Sequence, residues 1–438
     1  MSANKLNTVS RREFLANTAK TCFGVTIGGT MAQLFSSQAL AADATTLAAG
    51  GGKAKHVIYL YMSGGLTHLD TFDPKPKAGA MITAGKKAIS TNADGIQLSE
   101  NLPLLAKHTD KLAVIRSMNT TQGAHAPGRY FMRTGYTPRS SIVHPSAGGW
   151  INKLAKPMNE TIPGFVTINT SNGHPGSGFF EPEYQPLPIG NALAGLQNSK
   201  KARNVTDDDF HKQLDIRKEL DADFDKDYSK GHKDVRAYND MFDAAVKLMK
   251  SKDLEAFDLS KESTVTHKLY GRSNFAKGCM LARRLVERGV RCVDVELGGF
   301  DWHSDLAGNV DEKLPIIDQA LSALLEDLKV KGLLDSTLVV LATEFGRTPK
   351  INPNAGRDHF PKAFSCVMAG GGIKGGHVYG KTDATGATVI KDKVDAADFN
   401  ASIGFALGLP FDKTVYSPSK RPFKMASREG QPIKSLFT

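Results

Sequence analysis

The stretch STLVVLATEFGRTPKINPNAGRDHFPKAFSCVMAGGG, residues 336–372, decides the fold of this chain. It begins with an apolar run rich in β-branched residues, Thr337 to Ala342, and ends with a second apolar run, Phe364 to Ala369. Each run has the length and composition of one buried strand. The segment between the runs carries charged and titratable residues: Glu344, Arg347, Arg357, Asp358 and His359. Because open α/β sheets hold their sites at the carboxyl ends of strands, this pattern predicts a polar site at a sheet edge.

Other apolar runs supply the rest of the predicted sheet. They predict strands at 57–62, 112–117, 165–169, 290–297 and around 377–380. A helical stripe of apolar residues begins at Phe275 and stops at Gly289. A second predicted helix covers Leu314 to Val330, with Pro315 in its first turn. Helix, strand, helix and strand follow one another at the spacing of βαβ units, so we predict an α/β fold with a mostly parallel sheet.

Length and composition are those of a large globular protein. The chain has 438 residues, of which 40% are hydrophobic and 23% are charged, and this suits one or two soluble domains. We predict a single domain over residues 54–438. Residues 200–262 are highly charged and helical in pattern, and we interpret them as a helical insertion packed on the core. Acidic and basic residues are interleaved in that segment, which argues against a specific nucleic-acid partner.

The first 41 residues have the features of an export signal. The pair Arg11-Arg12 precedes a mildly apolar stretch, Thr21 to Leu34, and Ala39-Leu40-Ala41 fits a cleavage site. This order resembles a twin-arginine (Tat) signal. Residues 42–53 are rich in Ala, Gly and Thr and are predicted to be a flexible tether.

The net charge and the hydropathy limit which partners the mature protein is expected to have. Cleavage after Ala41 removes four basic residues and one acidic residue, so the net charge falls from +11 to +8. A basic surface favours anionic partners or substrates. No later run of about 18 apolar residues exists, so no transmembrane span is predicted. We therefore expect a protein of the periplasm or cell envelope, with the Tat translocase as its partner during export.

Polar residues follow several of the predicted strands. They are His68 and Asp70 after the first strand, Asp301 and His303 after the run 290–297, and Glu344, Asp358 and His359 in the opening stretch. Mixed carboxylate and imidazole sets hold divalent cations, and two such ions polarise a phosphoryl-type ester and activate a nucleophile. Taken singly, these segments are more typical of structural roles: Glu344 would pair with Arg347, and Asp358 would cap local backbone. Their joint occurrence favours a site.

Three cysteines remain after removal of the signal: Cys279, Cys292 and Cys366. Each lies in an apolar helix or strand pattern, so each is interpreted as a small buried hydrophobe. A disulfide between Cys292 and Cys366 stays open at this stage, because pairing cannot be deduced from sequence alone.

Four long stretches resemble one known family. They are GGLTHLDTFDPKP (64–76), LARRLVERGVRCVDVELGGFDWHSD (281–305), LLDSTLVVLATEFGRTPKIN (333–352) and GRDHFPKAFSCVMAGGGIKGGHVYGKTDATG (356–386). They resemble the bacterial family called domain of unknown function 1501. That family is similar to the alkaline phosphatase and sulfatase superfamily. The resemblance implies a three-layer α/β/α sandwich that is alkaline-phosphatase-like, with a metal site at the strand ends.

The resemblance also suggests individual ligand positions. Thr343-Glu344-Phe345-Gly346 resembles the superfamily's Ser-Asp-His/Asn-Gly, so Glu344 would stand at an aspartate ligand and Phe345 would replace a His or Asn ligand. Asp301 and His303 resemble the Asp and His pair of one metal, and His359 resembles the late histidine ligand. Ser63 stands where an aspartate ligand would follow the first strand, and Asp70 or His68 would substitute for it.

The segment from His125 to Gly135 is similar to the sulfatase motif Cys-x-Pro-Ser-Arg-x4-Thr-Gly. His125 occupies the place of the cysteine, so the sulfatase nucleophile is absent. Three options follow from this departure: a water nucleophile held by metal, covalent use of His125, or loss of catalysis.

The first hypothesis is an exported metal-dependent hydrolase of a phosphate or sulfate ester. Its metal ligands would be Asp70, Asp301, His303, Glu344 and His359, with Asp358 as a ligand or a supporting carboxylate. Arg129 and Arg347 would hold the anionic group, and His125 would act as general acid/base or nucleophile. The divalent ion would be Zn, Ca, Mg or Mn.

Two alternatives remain open. The first is a non-catalytic periplasmic protein that keeps the fold and binds an anionic glycan or a partner protein. The second and weaker one is binding of an anionic polymer through the +8 surface alone, without a discrete pocket.

Overall fold

The computed structural model describes residues 51–228, 233–427 and 429–438. The predicted signal, residues 1–41, and most of the predicted tether, residues 42–53, lie outside these ranges. The backbone N–H groups of Gly52 and Ala54 donate to the carbonyl of Ala406 at 3.2 and 3.0 Å. The chain is therefore attached to the core from Gly52 onwards.

Eight strands form the central sheet. Their bounds are β1 His56–Ser63, β2 Leu112–Met118, β3 Phe165–Ile168, β4 Leu187–Ile189, β5 Cys292–Gly298, β6 Thr337–Ala342, β7 Phe364–Ala369 and β8 His377–Tyr379. The spatial order is β8-β2-β7-β6-β1-β5-β3-β4. All neighbours pair parallel except β7, which runs antiparallel to both β2 and β6. The predicted mostly parallel sheet is confirmed.

The antiparallel strand β7 determines where the long loop of the opening stretch lies. Residues 343–363 leave the sheet at the carboxyl end of β6 and return to it at the amino end of β7. Because β7 is antiparallel to β6, both ends of this loop are at the same edge of the sheet. That edge is also where β1 and β5 end, since both run parallel to β6 or to each other.

The helices are α1 His125–Thr134, α2 Ala147–Leu154, α3 Asp207–Tyr228, α4 Lys233–Lys250, α5 Thr264–Tyr270, α6 Asn274–Glu287, α7 Leu306–Val330 and α8 Ala396–Ala406, with a short helix Ala80–Thr83. Of these, α6 lies on one face of the sheet, and α2 and α8 lie on the other. On one face, α6 packs so closely on β5 that a Cβ added to Gly278 would lie 2.7 Å from the side chain of Val295. On the other face, Tyr59 of β1 shares a buried core with Trp150 of α2 and Ile403 of α8. The predicted three-layer α/β/α sandwich is confirmed.

Helix α7 differs from its prediction. It begins at Leu306, so the predicted start at Leu314 and the placement of Pro315 in the first turn are wrong. Asp305 caps the helix by accepting a hydrogen bond from the Gly308 N–H at 3.2 Å. Pro315 is tolerated inside the helix although it lacks the N–H that a helical carbonyl one turn earlier needs. The upstream aspartate cap was the signal that determined the true start.

Residues 196–254 form a compact unit of their own. Within it, α3 and α4 contact each other: Lys250 Nζ lies 2.9 Å from His211 Nε2, and the Arg217 guanidinium lies 3.5 Å from the ring centroid of Phe242. Residues 255–262, which were predicted as part of the insertion, belong to the larger unit. No helix in the described ranges is long and apolar enough to cross a membrane.

The topology excludes the Cys292–Cys366 disulfide. Cys292 is on β5 and Cys366 is on β7, with β1 and β6 between them. Three strand spacings of about 4.8 Å place the two Cα atoms about 14 Å apart, whereas a disulfide needs less than about 7 Å. Both cysteines, like Cys279, are free and buried, as the interpretation as small hydrophobes requires.

A buried ion network fastens α6 to its surroundings. The Arg283 guanidinium is fully buried and binds Asp327 at 2.7 Å, Glu287 at 2.7 Å and Glu262 at 2.9 Å. Burial acts to raise the pKa of Glu262, but hydrogen bonds from Arg283 and Arg284 outweigh burial and lower the pKa from 4.5 to about 2. Glu262 therefore stabilises the fold only while its carboxylate is charged.

We expect the Glu262→Gln variant to show a pH-dependent loss of stability. Above pH 4.5 the wild type should be more stable by about 2 kcal/mol, the value of a hydrogen bond to a charged group. The difference should shrink as the pH falls from 4.5 towards 2, because in this range the unfolded chain binds a proton that the folded wild type still excludes. Urea unfolding of both proteins at pH 6, 4 and 3 measures this difference in the free energy of unfolding. Glu312→Gln, at an exposed carboxylate, should show no such trend, and a pH-independent difference for Glu262→Gln would contradict the explanation.

Candidate metal centre

Three segments meet at the carboxyl edge of the sheet. Helix α1 begins with His125, the loop after β5 carries Asp301 and His303, and the loop 343–363 carries Glu344 and His359. The turn after β1 lies against the loop after β5, because Gly64 has φ +121° and a Cβ there would lie 2.7 Å from the backbone nitrogen of Asp301. A side chain at position 64 would separate the loops, so this glycine is what permits the close approach.

Four side chains of these segments converge through their ring nitrogens and carboxylate oxygens. The ligand atoms of His125, Asp301 and His359 all lie within 4.8 Å of one another. His125 Nε2 lies 3.2 Å from Asp301 Oδ2, and His359 Nε2 lies 3.2 Å from Asp301 Oδ1. His303 Nε2 lies 3.0 Å from Asp301 Oδ1 and 3.1 Å from His359 Nε2. The structure thus brings together three of the six predicted ligands and adds His125 to them.

Each imidazole is held from behind through its Nδ1 atom. His125 Nδ1 donates to Glu344 Oε1 at 2.7 Å, His303 Nδ1 donates to Asp358 Oδ1 at 2.8 Å, and His359 Nδ1 donates to the carbonyl of Gly123 at 2.9 Å. In a neutral imidazole that donates from Nδ1, the Nε2 atom carries a lone pair. Three Nε2 lone pairs and the Asp301 carboxylate therefore face one another.

This arrangement fits a cation. Four lone-pair acceptors at close range repel one another unless a positive charge lies between them, and His125 Nε2 is buried with no hydrogen-bond partner. Zinc binds imidazole nitrogen at about 2.0–2.1 Å, so tetrahedral donors lie about 3.3 Å apart. Four separations in the cluster, of 3.0 to 3.2 Å, are close to that edge length, with His125 facing Oδ2 of Asp301 and with His303 and His359 facing Oδ1. The residues present fit a divalent metal ion.

Glu344 lies behind His125 and does not join the ligand atoms. It is fully buried, and its Oε1 accepts from His125 Nδ1 and from the Gly64 N–H at 2.8 Å. The hydrogen bond to Glu344 raises the pKa of His125. The geometry is that of a carboxylate that orients a metal-binding histidine. Glu344, which was predicted as a direct ligand, thus contacts the His125 ring from behind, and His125, which was predicted as nucleophile or general acid/base, lies among the possible ligand atoms.

Asp70 and His68 are occupied elsewhere. Asp70 is buried and accepts from Arg357 Nε at 3.0 Å and from the Thr67 hydroxyl at 2.7 Å. His68 Nε2 lies 2.8 Å from the carbonyl of Gly386. The structure does not bring either residue into the cluster, because the buried Arg357 guanidinium takes the Asp70 carboxylate as its charge partner.

Arg347 positions Asp301 instead of facing solvent. Its guanidinium is fully buried and donates to Asp301 Oδ1 at 2.6 Å, to the carbonyls of Gly65 at 3.1 Å and Arg357 at 2.9 Å, and to the carbonyl of Gly64. The predicted role of Arg347 in holding a substrate anion does not fit these contacts, since its donors are already used. Burial acts to raise the pKa of Asp301, but the hydrogen bond and the charge of the Arg347 guanidinium act against burial, and the pKa is lowered.

Arg129, in contrast to Arg347, forms no described ion pair. It lies one helical turn after His125 on α1, and its Nη1 contacts only hydroxyl groups, Ser63 Oγ at 3.4 Å and Ser171 Oγ at 3.3 Å. Within the described ranges, no carboxylate forms an ion pair with Arg129. A guanidinium beside a metal cluster and without a charged partner is free to bind an anion.

Phe345 explains one departure from the superfamily pattern. Its buried ring lies 5.0 Å from the His125 ring and 4.7 Å from the His359 ring, measured between centroids. Phe345 is therefore an apolar wall for the cluster and supplies no ligand. Two residues that contact the site were not predicted from the sequence: Ser171, whose hydroxyl lies beside Arg129, and Gly123, whose carbonyl accepts from His359. A single loop hydroxyl and a backbone carbonyl have no recognisable sequence pattern.

Fold and site together define the chain as an α/β/α protein with a candidate metal centre at the carboxyl edge of its sheet. The chain belongs to the family described as protein of unknown function (DUF1501), whose model matches residues 54–437. The predicted family membership is confirmed. No curated protein matches this sequence.

Several solved structures are similar to this chain at low identity. PsFucS1 sulfatase from Pseudoalteromonas sp. is 14% identical with a TM-score of 0.39, over 87% of this chain and 75% of that one. An alkaline phosphatase superfamily protein from Vibrio parahaemolyticus is 9% identical with a TM-score of 0.36, over 82% and 67%. The C-terminal periplasmic domain of EcEptC from Escherichia coli, in complex with Zn, is 10% identical with a TM-score of 0.35, over 87% and 88%.

Proposed function

We propose that the mature protein is an exported, metal-dependent hydrolase of a phosphate or sulfate ester. The observation that carries the proposal is the convergence of three imidazole Nε2 atoms on the Asp301 carboxylate, with each Nδ1 proton already bound to an oxygen. The imidazole-rich donor set favours zinc over magnesium or calcium, which prefer oxygen ligands. The free Arg129 guanidinium supplies the recognition of an anionic group.

In this proposal each residue has a defined task. His125, His303, His359 and Asp301 would hold the ion, and a bound divalent ion polarises an ester oxygen and lowers the pKa of a water molecule. Glu344, Asp358 and the Gly123 carbonyl fix the three rings in the tautomer that leaves Nε2 free. Arg129 would bind the non-reacting oxygens of the ester through its planar fork. Phe345 keeps water away from one side of the cluster.

With His125 assigned to the metal, the proposal uses water as the nucleophile. Asp301 and His303 are about half exposed as side chains, so the cluster is open to solvent at these two residues. In a single displacement the water oxygen would bond to phosphorus or sulfur while the bond to the leaving alkoxide breaks, and the proton lost by the water would pass to that alkoxide. The ion would lower the pKa of the water, and Arg129 would bind the non-reacting oxygens. The covalent use of His125 that the sequence left open is the less favoured route, since its Nδ1 atom donates to Glu344 and its Nε2 atom would bind the ion.

The first experiment is a measurement of metal content. The mature protein is purified from the periplasmic fraction without chelator, and bound metals are determined by mass spectrometry. We expect about one equivalent of zinc or another divalent ion per chain, followed by hydrolysis of a phosphate or sulfate ester that chelation abolishes and metal restores. A mature protein that holds no metal and is not stabilised by added divalent ions would overturn the proposal.

Glu344→Gln should weaken metal binding without removing it. The amide keeps the volume of the carboxylate and an acceptor for the His125 ring, but it loses the negative charge that supports the ligand. Loss of such a supporting group typically costs 10–100-fold in metal affinity. Competition with a chromophoric chelator measures the affinity, and circular dichroism checks the fold. If Glu344 were a direct ligand, the loss would instead equal that of removing Asp301.

A second candidate function is binding without chemistry. It is favoured by His125 itself, which stands where the similar sulfatase motif has its nucleophile. In that case the protein would bind an anionic glycan or a partner protein, metal or anion binding would persist, and no ester tested under metal-replete conditions would be hydrolysed. The two candidates are distinguished by turnover at saturating metal.

Export and localisation are part of the proposal. The net charge of +8 after cleavage suits anionic ligands of the cell envelope. Export by the Tat pathway would deliver a folded protein, and the periplasmic purification above tests delivery directly, because a chain retained in the cytoplasm with its first 41 residues would contradict it.

A further inference from the structure

Helix α1 carries three basic residues at intervals of four: His125, Arg129 and Arg133. Residues four apart lie on the same face of a helix. The first, His125, belongs to the candidate metal cluster, and the second, Arg129, lies beside the hydroxyls of Ser63 and Ser171. Arg133 is the third member of the stripe, it is 4% exposed, and the hydrolase proposal gives it no task.

Arg133 fastens α1 to strand β5. One guanidinium nitrogen, Nη2, donates to Glu296 Oε2 at 2.9 Å, and Nη1 donates to Asp294 Oδ2. Asp294 and Glu296 are two residues apart on the strand, so both side chains point to the same face of the sheet. The guanidinium also lies 4.1 Å from the ring centroid of Tyr61 on β1. One side chain therefore holds the helix against two adjacent strands.

The two elements that Arg133 joins, helix α1 and strand β5, both lead to residues of the cluster. Strand β5 ends at Gly298, three residues before Asp301. Helix α1 begins at His125, two turns before Arg133. His125 Nε2 and Asp301 Oδ2 face each other at 3.2 Å across the gap between these elements. Any displacement of α1 along β5 would change that separation.

The two carboxylates that bind Arg133 also contact the loop beside Arg129. Glu296 Oε2 accepts a hydrogen bond from the Ser171 N–H at 3.3 Å, and Ser171 Oγ is one of the two hydroxyls beside Arg129. His174 Nε2 donates to Asp294 Oδ2 at 3.0 Å, so the loop that contains Ser171 and His174 is held by the same two carboxylates. Arg133 is the only cation in contact with either carboxylate among the described ion pairs.

We propose that Arg133 is a positioning residue that fixes α1 on β5 and thereby sets the separation of the ligands His125 and Asp301. This inference rests on the proposed function, since it assigns Arg133 to the assembly of that same metal centre. A lysine could not replace it, because a single ammonium group does not span the two carboxylates as the guanidinium fork does.

Arg283 provides a matched control. It is also fully buried and also binds several carboxylates, Glu262, Glu287 and Asp327. Its network joins α6 and α7 to the segment around Glu262, and none of these residues touches the cluster. Arg133→Lys and Arg283→Lys thus make the same chemical change at two buried networks, of which only one lies between ligand-bearing elements.

The experiment compares wild type, Arg133→Lys and Arg283→Lys in thermal unfolding and in zinc affinity, measured by competition with a chromophoric chelator. Both variants should melt at lower temperature. Only Arg133→Lys should bind zinc 10-fold to 100-fold more weakly, and hydrogen exchange of the 125–134 segment should rise only in that variant. Equal zinc affinity in folded Arg133→Lys and wild type would overturn the inference while leaving the hydrolase proposal intact.

If Arg133→Lys does not fold, Glu296→Gln takes its place. It keeps the shape of the side chain and its acceptor oxygen and removes one charge of the pair. The inference then requires weaker zinc binding and faster exchange of α1 in Glu296→Gln, and unchanged values for both would overturn it. A wild type that binds no zinc would instead mark a failure of the proposed function, which is a separate result.

Discussion

Asp301→Asn should remove metal from the mature protein and leave the fold intact. Asp301 supplies the only carboxylate in the cluster, and its two oxygens face the Nε2 atoms of His125, His303 and His359. An amide is a weak metal ligand, and its N–H groups can donate to the imidazole lone pairs that the ion would otherwise satisfy. We expect at least a 100-fold loss of metal affinity, by the same reasoning that gives 10–100-fold for a supporting group.

The control for this variant lies four residues away. Asp305→Asn makes the same chemical change at the cap of α7, where φ is +46° and asparagine is well tolerated. Metal content by mass spectrometry and unfolding temperature are measured for both variants. Asp305→Asn should retain the metal of the wild type. Full metal retention in Asp301→Asn would show that the cluster is a hydrogen-bonded network and not a metal centre.

Arg129→Gln should separate anion recognition from metal binding. Charge-assisted hydrogen bonds contribute about 1.5–3 kcal/mol each, so removing the guanidinium should lower kcat/KM for an anionic ester about 10–100-fold. Metal content should not change, because Arg129 contacts the hydroxyls of Ser63 and Ser171 and no ligand of the cluster.

Arg139→Gln is the matched control for Arg129→Gln. Position 139 is exposed, and the substitution lowers the net charge by the same one unit. Steady-state kinetics over a range of salt concentrations distinguish the two. If kcat/KM falls by the same factor in both variants, and if added salt removes their difference from the wild type, then the diffuse basic surface binds the anion. Arg129 would then have no specific role in binding. A loss confined to Arg129→Gln would assign the anion to that side chain.

The sequence predicted well those strands whose secondary structure is determined by one local pattern of buried residues. Thr337–Ala342 and Phe364–Ala369 are strands with the predicted bounds, because every residue in each run is buried. Leu187–Ile189 was missed, since Pro188 in the middle of the run argues against a strand. It is tolerated there because β4 is the edge strand of the sheet.

The structure brings only some of the predicted site residues together. Asp301, His303 and His359 follow strand ends and so were expected together. The roles of Glu344 and Asp70 depended on partners distant in sequence: Glu344 binds His125, 219 residues away, and Asp70 binds Arg357, 287 residues away. Both carboxylates follow buried strands, and only the packed structure determines that one orients a histidine while the other neutralises an arginine.

The reversed direction of β7 has a consequence for how this family can diverge. The loop 343–363 starts and finishes on adjacent strands at one edge, and its residues 353–355 are exposed. A change of length at these three residues would leave the buried parts of the loop and the hydrophobic core in place. A crossover helix, by contrast, would couple any change in its length to the packing of a whole layer. New specificities are therefore expected to evolve by insertion at this exposed tip, while the cluster and the sheet beneath it stay constant.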